Sequence, residues 1–184
     1  MDTGRIRVTS DEPLERRRLA VLFRVVLFVP LALALSFATA AAVVALALAW
    51  LAALVTGRVP GGVHNFLTGY VRYVGRTTAW FHLLSGRYPS GPQHPFQLEA
   101  PNPRTQNRLR VLVRPVFAIP ALVLAGALRV VLMLSSVASW FAGVALGRTT
   151  AGLQELGMFC LRYELEALAY LLLLTPAYPR LAPE

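Results

Sequence analysis

The chain has 184 residues, 56% of them apolar and only 15% charged, with a formal net charge of +9. A soluble domain averages about a quarter charged residues, so this composition argues against an ordinary soluble globular protein, and the single cysteine, Cys160, excludes an intrachain disulfide. All 18 basic residues are arginine. They flank long apolar runs, which points to anionic lipid rather than nucleic acid as the partner of the positive charge.

Residues 1–17 read as a polar, basic tail. Arg5, Arg7, Arg16, Arg17, Arg18 and Arg24 crowd the approach to an apolar run, a juxtamembrane pattern. From Val25 to Gly57 no side chain is charged. A membrane crossing needs about 20 such residues, and the run is too long for a signal-peptide core. It predicts one long helix from near Glu15 to about Val55, kinked at Pro30. Gly57 stands where a helix-ending glycine belongs, with Arg58 complementing the helix dipole. A second helix follows over Val63 to Ser85 and carries Arg72 and Arg76. Residues 86–107 contain five prolines and form a linker, neither helical nor buried.

Beyond the linker the pattern starts again. Laid on residues 108–179 without gaps, residues 18–89 share 19 identities over 72 positions. The matches are not aliphatic filler. They pair Arg18 with Arg108, Arg24 with Arg114, Pro30 with Pro120, Trp50 with Trp140, Gly57 with Gly147, Arg58 with Arg148, Arg72 with Arg162 and Tyr73 with Tyr163. They end with Tyr88–Pro89 on Tyr178–Pro179. The chain is a tandem duplication, organised as a tail (1–17), a first two-helix unit (18–89), a linker (90–107) and a second unit (108–180).

The stretch WLAALVTGRVPGGVHNFLTGYVRY and the closing LLSGRYP resemble the family called domain of unknown function 4389, a group of actinobacterial membrane proteins. Trp50, Gly57, Arg58, Arg72, Arg87, Tyr88 and Pro89 carry the likeness in the first unit, and Trp140, Gly147, Arg148, Arg162, Tyr163, Tyr178 and Pro179 in the second. The second unit departs at Ala177 and at Thr149–Thr150. The resemblance implies a bacterial membrane protein without an assigned activity. Some members carry a lipase label. No G-x-S-x-G elbow occurs in this sequence, and Ser36, Ser135, Ser136 and Ser139 suit helix packing.

The expected fold is all-α: a polytopic helical membrane protein of two tandem two-helix repeats. Four crossings place the N-terminus and the linker arginines on the cytoplasmic side, as the positive-inside rule favours. Crossing twice per unit makes the repeats parallel, about an axis along the membrane normal. The second helix of each unit is marginal, because a central Arg costs about 2.5 to 3.5 kcal/mol; it either spans or lies at the interface. With four spans, Arg72, Arg76, Arg129, Arg162, Glu164 and Glu166 form a polar cluster near the midplane, and Arg76 opposes Glu166. The cluster reads either as an interhelical ion-pair network or as the lining of a polar path. Trp50 and Trp140 suit an aromatic belt. His64, His82 and His94 lack ligand spacing and read as interfacial or solvated.

No catalytic, metal or cofactor motif is found. The sequence favours a non-enzymatic accessory or scaffold subunit of a bacterial plasma membrane, multi-pass with a cytoplasmic N-terminus. Its expected partners are the bilayer, anionic lipids at the cytoplasmic face, and other membrane subunits or further copies of itself. A small carrier or channel using the Arg/Glu cluster is the alternative.

Overall fold

A computed structural model describes residues 7–9, 24–86, 88–89, 97–99, 108–146 and 149–181. In chain order these form β1 (Arg7–Thr9), α1 (Arg24–Thr56), α2 (Gly61–Phe81), β2 (Gln97–Glu99), α3 (Arg108–Leu146) and α4 (Ala151–Leu171). The four helices match the two expected helix pairs. α1 has 33 residues and α3 has 39, about 50 and 58 Å at 1.5 Å per residue. Both run through their prolines, Pro30 in α1 and Pro115 and Pro120 in α3.

Local chemistry explains why α1 tolerates its few polar residues. Ser36, Thr39 and Thr56 donate their hydroxyls to the carbonyls of Ala32, Leu35 and Ala52, so no hydroxyl needs water. The helix stops at Gly57, whose φ of 73° is open to glycine without penalty. Its N–H closes on the Ala53 carbonyl at 3.0 Å, the ending the sequence predicts.

Each unit is an antiparallel hairpin. In the first, the Phe28 and Phe81 rings meet at 4.1 Å, and the Thr39 and Tyr70 hydroxyls share a hydrogen bond of 3.1 Å. In the second, Arg129 on α3 meets Glu164 on α4. Each hairpin therefore has a turn end and an open end, the latter at Arg24 and Phe81–Ser85 in the first copy.

The all-α expectation needs one addition. Strands β1 and β2 pair antiparallel, with Arg7 opposite Glu99 and Thr9 opposite Gln97. Three-residue strands leave no readable alternation in a sequence. The ribbon joins a short stretch of the tail to a short stretch of the linker.

The hairpins pack with α1 on α2 and α3, and α4 on α2 and α3. This makes two layers, α1/α3 and α2/α4, with Leu67, Val71, Leu132, Leu161, Leu165 and Leu173 fully buried between them. The expectation of parallel repeats is corrected here: the hairpins meet head to tail. Leu84, at the open end of the first, packs on Gly157, near the turn end of the second. A Cβ on Gly157 would stand 2.5 Å from Leu84 Cδ2 and 3.5 Å from Leu132 Cδ1. Likewise Arg24, Phe81, His82 and Leu83 share a cavity with Met133, Ser136, Val137 and Trp140, in the second half of α3. In a parallel pair these groups would stand at opposite ends.

Burial supports a two-fold relation across the helices. Equivalent positions are buried alike: Val59 and Thr149, Val71 and Leu161, Ala79 and Ala169, Leu84 and Leu174. A dyad perpendicular to the helix axes would place the turn end of the first hairpin on the open end of the second in the same way. A staggered end-on stack would leave the outer ends bare.

Candidate functional site

The same side-chain assembly occurs at both open ends. Arg24 donates to the carbonyls of Trp80 and Ser85, and its guanidinium lies 4.8 Å from the centre of the Trp80 ring. Arg114, ninety positions on, donates to the carbonyl of Thr175 and lies 4.2 Å over the Tyr170 ring. The aromatic partner is in turn met edge-on by a tyrosine: Tyr88 on Trp80 at 5.3 Å, and Tyr178 on Tyr170 at 5.5 Å. Both arginines are 5% exposed. A buried guanidinium is tolerated when carbonyls and a ring face replace its water.

The backbone at these corners makes the carbonyls available. After α2 the chain turns through Leu83 at φ 61°, and after α4 through Leu173 at φ 62°. The N–H of Leu84 bonds the Ala79 carbonyl and that of Leu174 the Ala169 carbonyl, while Leu83 and Leu173 bond Trp80 and Tyr170. This is the Schellman ending, with leucine where glycine is usual. Left-handed leucine costs roughly 1–2 kcal/mol. Both leucines are nearly fully buried, so packing offsets the strain.

Ion pairs join members of the candidate polar cluster. Arg129 Nη1 meets Glu164 Oε1 at 2.8 Å, and Arg162 Nε meets Glu166 Oε1 at 3.9 Å one turn along α4. Glu166 also accepts the Arg180 backbone N–H at 3.3 Å. Arg72 and Arg76 are half-buried on α2. Arg129 is 60% exposed against 16% for Glu164, so that pair reaches from the surface inward.

The divergence between the copies is explained in part. Position 39 is Thr where 129 is Arg, and 74 is Val where 164 is Glu. The second copy acquires both halves of an ion pair where the first has neither.

The signature residues fall as follows. Gly57 and exposed Arg58 form the first turn, while Gly147 and Arg148 lie outside the described residues. Trp50 packs on the core, and Trp140 lines the inter-hairpin cavity of about 280 Å³. Tyr88 and Tyr178 complete the corners, and Pro89 and Pro179 are buried beside them. The solvated reading of two histidines is corrected: His64 and His82 are buried, 4% and 6% exposed. Burial, with Arg129 nearby, pushes His82 down to about 4. His94 lies outside the described residues, as does Arg87.

The sequence pairs Arg24 with Arg114 and reads them as lipid-facing flanking arginines; that reading is corrected, because both are buried at the corners. Their partners are backbone carbonyls, which leave no trace in side-chain identity. The aromatic equivalence of Trp80 and Tyr170 was a signal, masked because the residues differ.

Comparison with known families agrees with this duplication. The model described as "Domain of unknown function (DUF4389)" matches residues 18–92 and again residues 108–181. No curated protein and no solved structure matches. The two matches coincide with the two hairpins, each closing just past its tyrosine–proline corner, and the chain belongs to the DUF4389 family, which it contains twice.

Proposed function

We propose that this chain is a membrane-embedded, non-enzymatic accessory or scaffold protein that works through lipid and protein partners. The observation that carries the reading is where the apolar surface faces. α1 and α3 contain stretches of 31 and 35 residues, each holding an 18-residue window of mean hydropathy 2.4 and 2.3, long and apolar enough to cross a membrane. A soluble protein buries such helices, yet here Val26, Leu33, Phe37, Val44, Val116, Val123 and Leu134 are all more than half exposed. So continuous an apolar surface needs lipid or a partner. Meanwhile the buried arginines are used in holding the corners together. The basic tail fits an anionic, cytoplasmic leaflet of a bacterial plasma membrane.

A carrier or channel is the second reading, favoured by the half-buried Arg162–Glu166 pair, since ionisable groups among apolar helices often serve transport. Purification in mild detergent after crosslinking separates the two. A stoichiometric partner or a lipid-loaded oligomer without flux supports the accessory role. Substrate flux in proteoliposomes that is lost in Arg162→Ala supports transport instead.

A further inference from the structure

We infer that the two hairpins lie flat in one leaflet, with α1 and α3 sunk in lipid and α2 and α4 facing the headgroups, instead of crossing the bilayer. This rests on the membrane reading above and deepens it. Three observations converge.

The first is the head-to-tail packing. The level of Arg24 in the first hairpin is that of Met133–Trp140 in the second. Arg114, at the second open end, lies 19 to 26 residues earlier along α3, about 30–40 Å away. Residues 86–107 join the two open ends. With the helices upright, that connection would traverse a hydrocarbon core of about 30 Å. It contains Arg87, Gln93, His94, Gln97, Glu99 and Arg104, and its strand β2 pairs only with the equally short β1 among the described residues. So polar and proline-rich a sequence is not stable against lipid. With the helices flat, both open ends stand at the same membrane surface and no crossing is required.

The second is helix length. The apolar stretches of 31 and 35 residues are about 46 and 52 Å long. Upright and untilted, they would overshoot a core of about 30 Å by about 16 to 22 Å, and the second would carry Arg114 and Arg129 within its length. Flat helices have no such limit.

The third is the division of polarity between layers. The large exposed apolar residues belong overwhelmingly to α1 and α3. The opposite layer carries two polar stripes. One begins at exposed Asn65 and continues through Arg72 and Arg76; the other begins at exposed Glu155 and continues through Arg162 and Glu166. Upright, this layer would present them to acyl chains. Flat, it places them at the headgroups, where arginine pairs with lipid phosphate. One helix layer about 10 Å thick fits within a single leaflet.

The test is sidedness of labelling in the full chain with Cys160→Ala. Single cysteines replace Arg58 and Thr150 at the two turn ends and Ser90 in the linker. An impermeant maleimide is applied to right-side-out and to inverted vesicles. Flat hairpins predict that all three label from one and the same side. Labelling of positions 58 and 150 from the side opposite to position 90 overturns the proposal in favour of crossing helices. Turn cysteines that stay unlabelled on both sides until detergent is added overturn it too. Release of the protein by alkaline carbonate without detergent would instead sink the membrane reading on which this one stands.

Discussion

The two hairpins share a backbone plan and solve its centre differently. In the first, α1 carries Leu31 and Leu35, and a hydroxyl pair, Thr39 with Tyr70, joins the helices. In the second, the equivalent positions are Ala121 and Ala125, buried against Tyr163 and Ala167. Small residues let helices approach closely, and an ion pair, Arg129 with Glu164, spans the contact. At the corners the copies hardly differ: an arginine, an aromatic ring, a left-handed leucine and a tyrosine recur at a spacing of ninety. The lesson is that the corner defines the fold and the helix centre was free to diverge, provided both halves of a pair changed together.

The largest effect is expected at the corners. Arg24→Ala and Arg114→Ala each lose charge-assisted hydrogen bonds, of about 1.5–3 kcal/mol, together with a ring contact of about 0.5–2 kcal/mol. Thermal unfolding in mild detergent should fall sharply and by similar amounts in both. Lysine should not rescue either, because an ammonium cannot reproduce a flat guanidinium on a ring. A mild loss at one corner and a severe one at the other would break the equivalence.

Next comes the diverged centre. Arg129→Thr strands Glu164, the deeper partner, at a cost of about 1–3 kcal/mol. Glu164→Val strands the more exposed Arg129 and should cost less. The double change R129T/E164V installs the first copy's residues and should recover to within about 1 kcal/mol of the parent. Additive losses in the double variant would show that the two positions diverged independently.

A smaller effect is expected at the contact between hairpins. Gly157→Ala drives a methyl to within 2.5 Å of Leu84 Cδ2. Leu84 is buried and has little room to move, so overpacking of about 1–3 kcal/mol is expected. Adding L84A should relieve the crowding, so the loss in the double variant should fall short of the sum of the two single losses.

The smallest effect at neutral pH concerns His82. Its folded value is pushed from 6.5 to about 4, so it is held neutral. Its contribution is complete above about pH 6.5 and is lost as pH falls toward 4, because the unfolded chain takes up the proton first. His82→Leu, which installs the residue of the second copy, should flatten stability across that window.

Much of this architecture was legible. A charge-free run set α1, Gly57 set its end, and the ninety-residue repeat set α3 as its counterpart and the two hairpins. The relation between hairpins was not. Counting arginines on either side of a membrane assumes upright helices, and no local pattern reports that Leu84 meets Gly157 rather than the level of Leu174. The ribbon was invisible because three residues show no period. The midplane cluster was legible as composition but not as geometry: Arg129 and Glu164 meet, as do Arg162 and Glu166, whereas no periodicity reveals which charge faces which.

Head-to-tail packing is the claim on which the rest depends, and a disulfide tests it most directly. In a Cys160→Ala background, Leu84→Cys is combined with Gly157→Cys, and in a second protein Leu67→Cys with Leu174→Cys. The Leu84 side chain already reaches the place of a Gly157 Cβ, and the two-fold relation makes the second pair its equivalent. Both pairs are expected to oxidise readily within one chain, giving a faster-migrating band that reductant abolishes. Failure of both, with ready closure of Leu67→Cys on Gly157→Cys instead, would mean that the hairpins stand parallel and would contradict this account.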